Sequence, residues 1–146
     1  MARNRHVALL RGVNVGGSNL IKMADLRATF AAMGFTDVVT FIQSGNVVFS
    51  SRATIKAKLV ATIEAALSER FGYASRVVVV SAAELAAIVD EAPAGFGEDP
   101  KKYRYDVVFV MEPLAPQDAL AQGTANPGVD TVDAGRHALY FRRLVA

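Results

Sequence analysis

The amino-acid sequence predicts an α+β fold, and three observations carry the prediction. Short β-branched runs alternate with stretches whose apolar residues recur every three or four positions. Glycines close the two clearest helical stretches. Two pairs of strand-like runs flank short turns of hairpin composition. With 146 residues, 52% hydrophobic and 21% charged, the chain is long enough and apolar enough to bury a real core.

The elements follow in order. His6–Val15 is apolar and β-branched enough for a strand ending at Gly16-Gly17. Met23, Leu26, Phe30 and Met33 recur at helical spacing, with Gly34 as the stop. Val38–Gln43 and Val47–Ser50 are strands around the turn Ser44-Gly45-Asn46. Ile55, Leu59, Ile63, Leu67 and Phe71 step by four along one helix face, and Gly72 ends that helix. Arg76–Val80 holds four consecutive valines, as expected of a strand buried on both faces. This first half reads β-α-β-β-α-β, the order of a ferredoxin-like unit.

The second half opens without a linker. Ser81 precedes a helix with Glu84 three residues on, a capping-box spacing, and Leu85, Ile88 and Val89 give the buried face. Pro93 stops it. "APAGFGEDPKK" is a loop, Tyr105–Met111 a strand, and Pro116–Gln122 a short helix. Val129–Val132 and Ala138–Arg142 form a final hairpin around Ala134-Gly135-Arg136. The expected organisation is residues 1–80 and 81–146 as two halves of one compact globule, the second half incomplete. The chain stops just after a strand, where a second unit built like the first would continue into a helix.

Composition excludes several classes of function. There are no cysteines, hence no disulfide, thiolate metal site or cysteine nucleophile. No apolar run reaches the length of a secretory core or a membrane span. The expected location is the cytoplasm. Charge is uneven: residues 1–80 carry ten Lys/Arg and four Asp/Glu, residues 81–146 six and ten. The basic half favours anionic partners.

The chemistry-bearing stretch is "LLRGVNVGGSNLIKM", Leu9–Met23. It matches neither a Walker A loop nor a dinucleotide fingerprint. Glycines ahead of a helix nevertheless leave backbone N–H groups for an anion, or simply supply a turn. In a ferredoxin-like sheet the end of strand one lies beside the starts of strands three and four. Asn14, Gly16, Gly17 and Ser18 then converge with Gln43, Ser44, Asn46 and Arg76. Arg11, further down strand one, joins if its side chain points that way. Polar donors and arginines around a glycine loop suit a phosphate or carboxylate. The plainer alternative is that Gln43, Ser44 and Asn46 only tie down their hairpin.

Catalytic candidates are few. His6 and His137 are the only histidines, His6 at a strand start and His137 beside a turn, and each reads as a surface residue. Ser18 and Ser44 have no adjacent base. No spacing of metal ligands is present, so neither a metal nor another cofactor is expected. Recognition of RNA by stacking is disfavoured for the first half: "HVALLRGVNV" has no aromatic and "NVVFSS" only Phe49. Nucleic-acid binding through a basic groove, and an enzyme using the same polar pocket, remain the alternatives to small-anion binding.

"ALLRGVNVGG", then "MADLR", "GFTDVVTFIQSGNVVFSS", "KKYRYDVVFVMEPL" and "GVDTVDAGRHALYFRRL" resemble the bacterial family called domain of unknown function 1697 over nearly the whole chain. The resemblance implies two interlocked ferredoxin-like units and no established activity. Two departures bear on a site. Ser18-Asn19-Leu20-Ile21 stands where the family often has basic or bulky polar residues after the double glycine, with Lys22 following. The basic C-terminal segment with an "RNWNT"-like motif, usual in the family, is absent here, so a site that it completes would be incomplete.

Overall fold

The computed structural model describes residues 4–11, 21–41, 45–53, 55–110, 114–122 and 127–145. Among the described residues it is a mixed α+β structure with two antiparallel sheets and four helices, in two compact units, Met1–Ala82 and Ala83–Ala146. Among the described residues, no helix is long and apolar enough to cross a membrane.

The first unit runs β1 (Asn4–Leu10), α1 (Met23–Ala32), β2 (Thr36–Phe41), β3 (Asn46–Ser51), α2 (Lys56–Phe71) and β4 (Val77–Ser81). Its sheet has the order β2-β3-β1-β4, every pair antiparallel. Alternation places His6, Ala8 and Leu10 of β1 on the inner face, where Ala8 pairs with Val47 and His6 with Phe49. The helices supply the facing layer. Leu26 and Phe30 of α1 are buried one turn apart, as are Leu59, Ile63 and Leu67 of α2. Phe30, Phe35 and Phe49 form a tilted aromatic cluster with centroids 4.5–6.0 Å apart. Gly72 takes φ +68° and its N–H caps Ser68, so the left-handed exit of α2 falls at the glycine.

The boundaries correct several expectations. Strand β1 ends at Leu10, so Arg11 follows the strand rather than lying within it. Residues 12–20, including the expected end of that strand, lie outside the described residues. Ile55 stands before α2 and is 56% exposed, so only Leu59, Ile63 and Leu67 of the four-residue ladder are buried. Val77 and Val79 join the core, Val80 is buried as well, and Val78 is half-buried. A register shift between Thr36 and Val39 coincides with Asp37 at φ +52°. Arg5 Nη1 holds this irregularity by donating to the Asp37 carbonyl at 2.6 Å and to Ser50 Oγ at 3.0 Å.

The second unit contains α3 (Ala82–Asp90) but for its first residue, then β5 (Tyr103–Phe109), α4 (Pro116–Gln122), β6 (Asp130–Ala134) and β7 (Ala138–Leu144). Its sheet order is β5-β7-β6. Strand β5 starts two residues before the expected Tyr105. Ser81 directly precedes α3, and Glu84 lies in its first turn. The core is small: Ile88, Ala138 and Tyr140, with Ala92, Phe96 and Phe109 packed against them. Tyr140 donates its hydroxyl hydrogen bond to the Ile88 carbonyl, tying β7 to α3. Burial, with help from nearby Glu91, pushes that hydroxyl's pKa upward.

Candidate functional site

The strand order of the first unit sets which residues meet at one edge of its sheet. Leu9 pairs with Asn46 on one side, and Leu10 pairs with Val77 on the other. Two backbone bonds continue the contact beyond the strands. Leu10 N–H donates to Gly45 O at 3.0 Å, and Arg11 N–H donates to Arg76 O at 3.0 Å. Gly45 is buried with φ +83°, so the hairpin turn passes close to the end of β1 without a side chain in the way. Arg11, Gly45, Asn46 and Arg76 are thereby neighbours along the chain edge.

Arg76 is held there by the turn before it. Ser75 is buried to 1% exposure. Its hydroxyl donates to the Glu64 carbonyl at 2.6 Å and lies 2.9 Å from Ser68 Oγ. Its N–H donates to Ser68 Oγ at 3.1 Å. Glu64 Oε2 accepts from the N–H of Val77 at 3.0 Å. Four polar bonds therefore lock the passage from α2 into β4, and Arg76 emerges between two fixed residues. Its Nη1 donates to the Ser75 carbonyl at 2.8 Å. Arg11 and Arg76 are both exposed, and neither has a carboxylate partner among the described residues. Asn46 is half-buried and engaged in an interaction. Of the other residues expected here, Asn14, Gly16, Gly17, Ser18, Gln43 and Ser44 lie outside the described residues.

The histidines have other roles than a surface reading gives them. His6 is 5% exposed, because the alternation of β1 turns it inward with Ala8 and Leu10. Its ring stacks on Phe49 at 5.6 Å, and Nδ1 lies 3.2 Å from the Asn4 carbonyl. His137 is half-buried beside Glu84, with 3.6 Å between Nδ1 and Oε2.

Two clefts lie elsewhere. One of roughly 430 Å³ in the first unit places Arg52 and Lys58 near Phe35 and Leu59. One of roughly 500 Å³ in the second unit is bounded by Glu91, Pro116, Gly135 and Arg136. In the latter, Arg136 grips Glu91 through Nε at 3.0 Å and through Nη2. The hydrogen bond from Arg136 holds the Glu91 carboxyl below its usual range, and the pair raises Arg136 in turn. With its cation and its carboxylate bound to each other, this cleft presents no unpaired charge among the described residues.

One group was not anticipated from the sequence. Arg142 lies over the ring of Tyr103 at 4.4 Å, and Lys102 approaches the same ring at 5.3 Å. Tyr105 is 6.1 Å from Tyr103 and packs edge-on to Phe96 at 5.0 Å. The available signal was the clustering of "KKYRY" and "FRR", two segments distant in sequence.

A family model described as "protein of unknown function (DUF1697)" matches residues 3–140. No curated protein matches. Among solved structures, the conserved bacterial protein SP0830 from Streptococcus pneumoniae is similar, with a TM-score of 0.85 at 26% identity. The match covers 99% of this chain and 78% of that one.

Proposed function

The chain belongs to the DUF1697 family of proteins of unknown function, and on that premise we propose that it binds a small anionic ligand, phosphate or carboxylate. The binding place is the edge where β1, β3 and β4 come together. The single observation that carries the reading is the pairing of Arg11 N–H with Arg76 O beside the Leu10–Gly45 bond. It sets two arginines, neither with a carboxylate partner among the described residues, next to the start of β3. A guanidinium is permanently charged and presents a planar fork that matches a carboxylate or phosphate with two parallel bonds. The segment joining β1 to α1 leaves from this same edge. We assign the backbone N–H groups of Gly16, Gly17 and Ser18, with Asn14, Gln43, Ser44 and Asn46, to complete the ligand's shell.

We read the first unit, with its β2-β3-β1-β4 order and its two crossover helices, as ferredoxin-like, and the second as a ferredoxin-like half. We propose a cytoplasmic location, with which the cysteine-free composition is compatible.

Calorimetric titration with inorganic phosphate and with small dicarboxylates tests the proposal. Saturable binding by the wild type, reduced at least tenfold in Arg11→Ala and in Arg76→Ala, is the expected result. Binding unchanged in both variants, or no binding of either ligand class, would remove the site.

A further inference from the structure

We infer that the second unit carries a separate surface for single-stranded nucleic acid, centred on Tyr103 and Arg142. The argument starts from where the charge lies. Residues 81–146 are acidic overall, yet five of their six cationic side chains fall in two short segments, residues 101–104 and 142–143. Strand pairing brings those segments together. Tyr103 pairs with Leu144, Arg104 with Arg143, and Tyr105 with Arg142. The backbone bond from Val145 N to Lys102 O extends the pairing to the lysine, at 2.8 Å.

The alternation of β5 and β7 then sorts these side chains. Tyr103, Tyr105 and Arg142 share one face. Arg104 and Arg143 lie on the other, where Asp130 binds Arg143 at 2.8 Å and Asp106 is close by. The second face is therefore largely neutralised. The first is not: among the described residues Arg142 has no carboxylate partner, its Nη2 reaching Thr131 Oγ1 at 3.4 Å, and Lys102, just before β5, brings its Nζ to 5.3 Å from the Tyr103 ring; Lys101 likewise has no carboxylate partner. Lys101 and Lys102 are exposed.

Tyr103 and Tyr105 share the face of Ala138 and Tyr140 but stand at its outer end, beyond the core. The core of this unit is built from Ile88, Ala138, Tyr140, Ala92, Phe96 and Phe109. Tyr105 is anchored at its rim, by Phe96 and by a hydrogen bond from Asp99 N–H to its hydroxyl. Tyr103 lies one step further out, half-buried, with two cations over its ring. Partly exposed aromatics beside a guanidinium, flanked by lysines that have no carboxylate partner among the described residues, are what a flexible strand of unpaired bases requires. Bases stack on the rings or on the Arg142 plane, and phosphates meet Lys101 and Lys102. A duplex offers no unstacked base to such a platform.

Fluorescence anisotropy with labelled oligo-uridine and oligo-thymidine, on the intact chain, tests the inference. Both single strands are expected to bind, and duplex DNA and base-free polyphosphate at least tenfold more weakly. Two phosphate contacts, to Lys101 and Lys102, predict about a 7-fold loss between 50 and 200 mM salt. Tyr103→Ala should weaken binding about tenfold or more, and Tyr103→Phe should retain it. Lys101→Glu with Lys102→Glu, on exposed positions that leave the fold intact, should abolish it. Absence of binding overturns the inference. So does equal affinity for polyphosphate, or binding that the Lys101→Glu and Lys102→Glu changes leave intact.

Discussion

The turn that presents Arg76 depends on one buried hydroxyl, and Ser75→Ala tests how much. Ser75 uses its only O–H on the Glu64 carbonyl, so Ser68 must donate to Ser75 Oγ. The alanine variant deletes both bonds and keeps the Ser75 N–H bond to Ser68. Two bonds at about 0.5–1.5 kcal/mol each give a loss of about 1–3 kcal/mol. No cavity larger than the missing oxygen is created, so the polar term dominates. For a unit of this size melting on its own, 1 kcal/mol corresponds to a shift of about 4–8 °C. Urea unfolding followed by circular dichroism would measure it, with the slope unchanged and the midpoint lowered. A double-mutant cycle with Ser68→Ala should show the two changes to be strongly non-additive. A loss below about 0.5 kcal/mol, or simple additivity, would refute the reasoning that this network fixes the passage into β4.

Other outcomes follow from the same geometry. Phe49→Ala removes a fully buried ring touching Phe30, Phe35 and His6 and should cost about 3–5 kcal/mol in urea unfolding. Gly135→Ala places a Cβ 2.9 Å from Tyr140 Cε2, an atom of a ring already fixed by its bond to Ile88. The overpacking should cost about 1–3 kcal/mol and appear first in the near-ultraviolet signal of the second unit. Glu91 is held below its ordinary value of 4.5 by the hydrogen bond from Arg136. Its lowered pKa in the folded state adds stability above pH 4.5 that is lost as the pH falls through the lower folded value. The stability gap between the wild type and Glu91→Gln should therefore be level from pH 7 to about 5 and close below 4.5. A gap of constant size down to pH 3 would contradict the ion pair.

Much of the fold was legible because its signals are local. The four-residue ladder of α2 and the glycine after it need only the helical period and a positive φ. The final hairpin needed only two strands and a short turn. Strand starts were less legible: β1 begins at Asn4 and β5 at Tyr103, each two residues before the expected His6 and Tyr105. The burial of His6 depends on the phase of β1, which follows from its partners Phe49 and Val47 and not from the histidine itself. Ile55 fits the apolar ladder but precedes the first helical residue, so it points away from the core. The meeting of Arg11, Asn46 and Arg76 could be reasoned from strand order, because neighbours in a sheet are fixed once the order is known. The Tyr103–Arg142 contact could not. It depends on the register of β5 against β7, and a slip of one residue would put the two on opposite faces.

The most direct test of the account is an amide chemical-shift titration of the isotope-labelled protein with inorganic phosphate. The account predicts saturable shifts clustered at Arg11, Gly45, Asn46 and Arg76, lost together in the Arg11→Ala variant. Shifts that do not saturate, or that cluster instead around Arg52 and Lys58, would contradict it.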